Sequence, residues 1–255
     1  EVLGLGLGVI LGALMHLAVQ VIAAFRAGFR FGPIFNFADL NFRAIVKLMI
    51  PRTIGLGAFS IDSAIINALA SMLGAGSIAM LNFANNLQSV PISVVGISIA
   101  IAMFPRLSFH ASGDEKEEFN KKLNSALKGT AIIVTVGAVL LFFLSEWVIK
   151  VLFGVGLFHG QSVTITASIL SLYMFGVTAQ SLIPILSRAF YALHNTKIPV
   201  MTSIIAIITN LSLASLFIFY YHWDVRGLAL AFAIAGNVNF FLLWFFFKRF
   251  TKVSF

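Results

Sequence analysis

The stretch "FSIDSAIINALASML" (59–73) is apolar almost throughout, yet it contains an aspartate, Asp62. The whole chain has this character, because 60% of its 255 residues are hydrophobic and only 10% are charged. A soluble globular domain has about 25% charged residues. The composition therefore predicts an integral membrane protein. We expect it to be all-α, because lipid offers no hydrogen-bond partners to an open strand.

Seven segments of the chain are long and apolar enough to cross a bilayer, which takes about 20 residues per helix. They are 2–25, 53–73, 78–105, 127–153, 163–187, 199–221 and 226–247. The sequence thus predicts a polytopic helical bundle with about seven transmembrane helices. Pro91 lies inside the third segment, where we expect it to bend the helix.

The basic residues orient these segments. With seven spans, 15 of the 17 Lys and Arg residues fall on one side of the membrane. An excess of Lys and Arg marks the cytoplasmic side, so we expect the C-terminal end of the chain to be cytoplasmic. Since the basic residues cluster at the ends of apolar segments, membrane orientation explains the net charge of +8 better than nucleic-acid binding does.

Two segments carry local signals. Within 26–52, apolar and basic residues recur at helical spacing, which predicts a cytoplasmic linker with an amphipathic helix on the membrane surface. A site for an anionic lipid there is the alternative. Gly4, Gly8 and Gly12 lie four residues apart on one face of the first helix. Small residues at this spacing favour close helix packing over phosphate binding.

No catalytic or metal-binding constellation is recognisable. The chain has no cysteine, its five histidines lack metal-ligand spacing, and no nucleophile has a base nearby in sequence. We therefore predict neither an enzyme, nor a metal site, nor a cofactor. Only His16 falls well inside a span, where a packed or pore-facing role competes with a proton-linked one.

Polar residues inside the spans are the candidate site. Asp62 lies about 15 Å along its predicted helix, near the bilayer midplane, where a lipid-facing carboxylate costs about 3 kcal/mol. Asn82, Asn85, Asn86 and Ser89 form one polar stripe on the next helix. We predict that these five residues line a substrate cavity, with hydrogen bonding between helices as the alternative. Gln180 and Arg188 are further candidates for a head-group or proton-linked role, although Arg188 could instead be an orientation anchor.

Four segments carry a family resemblance. They are 51–108, which begins "PRTIGLGAFSIDSA", "LFGVGLF" (152–158), "RAFYALHNTKIPV" (188–200) and "RGLALAFAIAGNVNFFLLW" (226–244). Together and in this order they resemble the MurJ/MviN family of lipid II flippases, in the MATE-like multidrug/oligosaccharidyl-lipid/polysaccharide exporter superfamily. Where the family usually has Ala-Asp-Arg, with the arginine implicated in binding the lipid pyrophosphate, this chain has Ala84-Asn85-Asn86.

The resemblance implies an architecture of two six-helix lobes around a central cavity. Residues 1–25 would be the last helix of a first lobe, 26–52 the linker, and 53–250 a six-helix second lobe. Five helices of the first lobe would then precede this chain and act as its partner.

The resemblance also implies a function. The protein would be a flippase of the bacterial cytoplasmic (inner) membrane. It would move lipid II, an undecaprenyl-pyrophosphate-linked peptidoglycan precursor, to the outer leaflet by alternating access. The alternatives are another exporter of the superfamily, for polysaccharide-linked lipids or drugs, and a membrane scaffold that transports nothing.

Overall fold

The fold is described from a computed structural model, which covers residues 2–29, 40–112, 116–154 and 158–251. All of its regular elements are helices. They are α1 (Val2–Arg26), α2 (Leu40–Ser71), α3 (Ser77–Pro91), α4 (Ser98–Ser112), α5 (Lys116–Phe153), α6 (Gln161–Ala192), α7 (Lys197–Ser215) and α8 (Val225–Thr251). Two π-helical segments, Ile92–Ile97 and Leu216–Tyr220, continue α3 and α7. The predicted all-α fold class is confirmed.

Among the described residues, six helical segments are long and apolar enough to cross a membrane. They are Gly6–Arg26, Ser77–Ala111, Glu117–Phe153, Gln161–Ala192, Lys197–Tyr220 and Val225–Phe250. Each contains or largely overlaps one predicted span. The remaining predicted span, 53–73, lies within and just beyond α2, and some side chains of that helix are outside the described residues.

The predicted boundary between the linker and the second lobe does not coincide with the end of a helix. The sequence placed an amphipathic helix before residue 52 and a span after it, whereas α2 runs without interruption from Leu40 to Ser71. The helix continues through Pro51, although proline has no N–H and removes one backbone hydrogen bond at this junction. Residues 30–39 of the linker lie outside the described part of the chain.

The chain divides into two compact units, Glu1–Val46 and Lys47–Phe255. In the second unit α6 is the central helix, because it packs on α3, α4, α5 and α8. Two apolar clusters lie along it. One includes Leu170, Tyr173, Val177 and Ala214, and the other includes Leu107, Phe119, Leu186, Phe190 and Phe247.

Large apolar side chains also cover the outside of this unit. Phe143, Trp147 and Phe175 are all more than 60% exposed. Large exposed apolar surfaces are rare on soluble monomers. Such a surface is typical of a membrane protein, because hydrocarbon is as apolar as the protein core.

Small residues set the closest helix contacts. A Cβ on Gly96, in the π-helical segment after Pro91, would lie 2.5 Å from the carbonyl oxygen of Ser181 in α6. A Cβ on Gly176 of α6 would lie 2.8 Å from the Cα of Ala233 in α8. Both positions therefore need glycine. Where Pro91 predicted a bend, the helix changes to π-helical geometry immediately afterwards.

The glycine face predicted in α1 has a different environment. No heavy atom of the described residues lies within 4 Å of a Cβ placed on Gly4, Gly8 or Gly12, apart from the neighbouring backbone of their own helix. Their role in close packing stays a prediction.

Candidate functional site

Asp62 is buried and has one specific partner. Its side chain is only 6% exposed. The Nδ2 atom of Asn210 donates to both carboxylate oxygens of Asp62, at 2.9 and 3.2 Å. Asn210, which is 2% exposed, lies on α7 and 148 residues away in sequence. The pair thus joins α2 to α7, and among the described residues Asp62 has no cationic partner within salt-bridge distance.

The pair lies at a cavity of about 810 Å³ inside the second unit. This cavity, called the cleft below, lies between α6 and α7, which contact each other little although both pack on α8. Most of its lining is apolar. Five polar or charged side chains of its wall belong to the candidate site, and they are Asp62, Gln180, Arg188, Asn210 and Asn239.

Several polar atoms of the cleft are unsatisfied. The Nε2 atom of Gln180 and the Oδ1 atoms of Asn210 and Asn239 are buried without a hydrogen-bond partner among the described residues. Gln180 is held in place by close packing, since a Cβ on Gly236 of α8 would lie 2.8 Å from Nε2 of Gln180. Carboxylate and amide oxygens can accept hydrogen bonds from water, and they are also the ligand type that hard cations prefer.

The two ends of the cleft differ in their surroundings. One turn beyond Asn210 on α7, Ala214 belongs to the buried apolar cluster that also contains Tyr173 and Val177. From Gln180 the wall of α6 extends to Tyr191, a distance of about 17 Å along the helix. Tyr191 is 41% exposed and lies beside the turn between α6 and α7. The cleft therefore opens at that turn.

The polar stripe of α3 occupies a different place. Asn82, Asn85 and Asn86 are exposed, Ser89 is half-buried, and none of the four lines the cleft. The structure therefore brings Asp62, Gln180 and Arg188 together in the cleft and leaves the stripe on an outer face of the unit.

Local hydrogen bonds hold the stripe. The Nε2 atom of Gln88, a residue that is almost fully buried, donates to Oδ1 of Asn85 at 2.9 Å. Ser89 Oγ donates to the backbone oxygen of Asn86 at 2.7 Å. The Asn85 side-chain oxygen thus accepts one hydrogen bond within the helix, and its amide nitrogen keeps two N–H donors.

His16 belongs to the first unit. Nε2 of Gln20 donates to Nε2 of His16 at 2.8 Å, one helical turn away on α1. Both side chains are exposed. Within the described ranges, no group of three His, Cys, Asp or Glu residues is arranged to hold a metal ion.

Sequence reasoning missed Gln88, Asn210 and Asn239. One pattern could have indicated Asn210, because Thr196, Ser203 and Asn210 are seven residues apart and all three line the cleft. Seven residues make about two helical turns, so these side chains share one face of α7. Asn239 and Gln88 give no comparable signal in the sequence.

Comparison with known proteins identifies relatives of the whole chain. The family described as "Lipid II flippase MurJ" matches residues 1–255. A probable lipid II flippase MurJ of Buchnera aphidicola subsp. Acyrthosiphon pisum is 33% identical over 243 residues, which are 95% of this chain and 47% of that protein. One of Rhizobium tropici is 34% identical over 232 residues, or 91% of this chain and 43% of that protein. The chain spans about half the length of the curated relatives it matches.

Solved structures show the same relationship. A lipid II flippase MurJ in an inward closed conformation has a TM-score of 0.71 and 27% identity, covering 84% of this chain and 45% of that one. An outward-facing MATE multidrug transporter of the MOP superfamily has a TM-score of 0.68 over 81% of this chain and 45% of that one. Its identity is 18%, so it shares the fold alone. The predicted resemblance is thus confirmed, and the chain belongs to the MurJ family of membrane proteins.

Proposed function

We propose that this chain supplies the second lobe of a lipid II flippase. The observation that carries the proposal is the exposed amide row of Asn82, Asn85 and Asn86 on α3, in a chain that matches the MurJ family along its whole length. Polar side chains exposed on a membrane-spanning helix are costly against lipid and favourable against a wet cavity. The α3 face would then form one wall of a central cavity, opposite a first lobe.

The chemistry of this wall suits a sugar–pyrophosphate head group. Its amides can donate hydrogen bonds to phosphate and sugar oxygens, and Gln88 orients Asn85 as a donor. Amides carry no charge, so most of the positive charge facing a pyrophosphate would come from the first lobe. The lipid tail would stay in the bilayer while the head group crosses in the cavity.

The proposal includes location, partners and reaction class. The protein would lie in the bacterial inner membrane, with the C-terminal end of this chain in the cytoplasm, as the distribution of Lys and Arg favours. Its partners would be the bilayer, the lipid-linked substrate and the first lobe, without nucleic acid. It would move its substrate by alternating access and break no covalent bond.

Complementation tests the proposal. The complete gene that encodes this chain is expressed in bacteria depleted of their own lipid II flippase, and survival is scored after membrane expression is verified. We expect rescue by the natural protein and loss of rescue when Asn85 and Asn86 are both changed to Leu. Val90→Leu, on the same helix and also exposed, is the matched control and should keep rescue.

One substitution tests the head-group assignment directly. Asn86→Arg adds a guanidinium, which binds phosphate oxygens with two parallel hydrogen bonds. We expect this variant to keep or improve rescue relative to the natural protein. A variant that is well expressed but fails to rescue would argue against a pyrophosphate at this position.

Another exporter of the superfamily is the second candidate, favoured by the amides at 85 and 86. Lysis despite good expression of the natural protein would favour it, as would cation-dependent transport or activity on a lipid without peptidoglycan units. A scaffold without transport is the third candidate. It would be supported by full tolerance of Asp62→Leu and of the double Leu substitution.

A further inference from the structure

We propose that the cleft between α6 and α7 is a water-filled channel. It would connect the Asp62–Asn210 pair to aqueous solution at the end of the lobe where α6 turns into α7. The ligand class is water and the small hydrophilic solutes that water carries. This inference concerns the inside of the lobe and does not depend on which substrate crosses at the α3 face.

The polar atoms of the cleft wall need hydrogen-bond partners. Among the described residues, Gln180 has an unpaired donor and Asn210 and Asn239 have unpaired acceptors, all buried in the wall of the same cleft. An unsatisfied buried polar atom costs about 1–3 kcal/mol. An acyl chain in the cleft would satisfy none of these atoms. Water can satisfy all three, because it both donates and accepts.

The cleft also has the volume and the continuous polar lining that a chain of water molecules needs. One water molecule occupies about 30 Å³ in the liquid, and the cleft holds about 810 Å³. Polar side chains also continue towards the open end. On α7 and the turn before it they are Ser203 and Thr196, and on α6 they are Ser187, Arg188 and Tyr191. A chain of water molecules therefore has partners along the whole length of the cleft.

The channel has an apolar boundary on the side away from the α6–α7 turn. Beyond Asn210, the buried side chains of Tyr173, Val177 and Ala214 belong to an apolar cluster. The charged groups that face the channel are Arg188 and Asp62. The polar route from Asp62 therefore leads towards the α6–α7 turn, and the α3 stripe does not line it.

Cysteine accessibility tests this channel, and the chain has no cysteine of its own. Single variants are made in the complete protein, with any cysteine outside this chain replaced, and they are treated in membranes with a charged, membrane-impermeant methanethiosulfonate. Ile207→Cys is the cleft variant, because Ile207 lines the cleft. Ile208→Cys is the control, because Ile208 lies next to it on the outer face of the same helix and is 59% exposed. Ser203→Cys is a second cleft position, close in size to the natural residue.

We expect Ile207→Cys and Ser203→Cys to react at least about tenfold faster than Ile208→Cys, because only the thiolate reacts and a thiol in hydrocarbon does not ionise. Thr196→Trp, which narrows the entrance, should slow the labelling of Ser203→Cys severalfold. Cleft cysteines that label no faster than Ile208→Cys in well-folded, monodisperse protein would overturn the channel. Unchanged labelling with Thr196→Trp would overturn its entrance. Labelling requires no transport. The labelling rates would therefore still support or overturn the channel even if the complementation experiment failed.

Discussion

The α3 stripe and the cleft are both rows of polar side chains within membrane-spanning helices, yet they differ in every structural respect. The stripe is exposed, and Gln88 and the helix backbone provide its internal hydrogen bonds. The cleft buries the Asp62–Asn210 pair, joins helices that are distant in sequence, and leaves three polar atoms without a hydrogen-bond partner among the described residues. An amide on a membrane helix therefore has no fixed role. Its role depends on whether its face meets another helix of the same lobe.

The largest expected effect comes from separating the cleft pair. Asn210→Leu removes the group that donates to both oxygens of Asp62 and leaves a buried carboxylate without a protein partner. We expect the free energy of unfolding to fall by about 3 kcal/mol. The measurement is thermal or denaturant unfolding of the purified protein in detergent.

The α3 stripe supplies the matched control for this substitution. Asn82→Leu replaces an exposed amide and should change stability by no more than about 0.5 kcal/mol. Adding Asp62→Leu to Asn210→Leu should recover most of the loss, since no buried charge then remains. If Asn82→Leu and Asn210→Leu destabilise equally, the contrast between an exposed and an enclosed row is wrong.

The next effect concerns the contact that connects the two regions. Gly96 follows the stripe, and its Cα faces the backbone of Ser181 on the helix that forms one cleft wall. Gly96→Ala would place a Cβ 2.5 Å from a carbonyl oxygen, and the backbones must separate. We expect a loss of about 1–3 kcal/mol in unfolding experiments.

Gly137→Ala is the control for Gly96→Ala. Gly137 lies in α5, and nothing outside its own helix backbone is within 4 Å of a Cβ placed there. Because alanine favours helix over glycine, this variant should gain up to about 1 kcal/mol. A gain of similar size for Gly96→Ala would show that the π-helical segment Ile92–Ile97 and α6 are not in close contact at this point.

The smallest effect comes from a polar pair at the start of the last membrane-spanning segment, where Asp224 lies just outside the segment and Arg226 at its first turn. Asp224 accepts hydrogen bonds from Nε of Arg226 at 2.9 Å and from its Nη2 at 2.6 Å. These bonds hold the pKa of Asp224 below its usual value. The pair therefore stabilises the fold above the unfolded pKa of about 3.9, and this contribution is lost as the pH falls through the lower, folded pKa.

Because the pair is partly exposed to water, we expect its contribution to be less than about 1 kcal/mol. The measurement is the free energy of unfolding at pH 7 and at pH 3, for the natural protein and for Arg226→Gln. The natural protein should lose more stability on acidification than the variant. Other carboxylates affect both proteins equally, so their contributions cancel when the two losses are subtracted. Lys150→Gln, which also removes an exposed positive charge, is the control. Equal acid sensitivity of the natural protein and Arg226→Gln would contradict the assignment.

The site was only partly accessible to sequence reasoning. Asp62 was identified because a carboxylate in an apolar span is conspicuous, and its position in the middle of the helix predicts burial. Its partner was not identified, because an asparagine 148 residues away has no local signature of the contact. The stripe was recognised from its helical spacing, but spacing places residues on one face without showing what that face meets.

By itself, the sequence determined that the chain is a helical membrane protein, approximately where its helices lie, and which family it belongs to. The reason is that bilayer thickness sets the length of an apolar helix, and backbone groups in lipid must pair within it. Only the tertiary structure decided that Asp62 meets Asn210, that α6 and α7 enclose a cleft, and that the stripe lies outside it. Those facts depend on how the helices are rotated about their axes and how closely they approach each other. Small residues such as Gly96 and Gly176 set the closest approaches, through contacts between segments that are far apart in the chain.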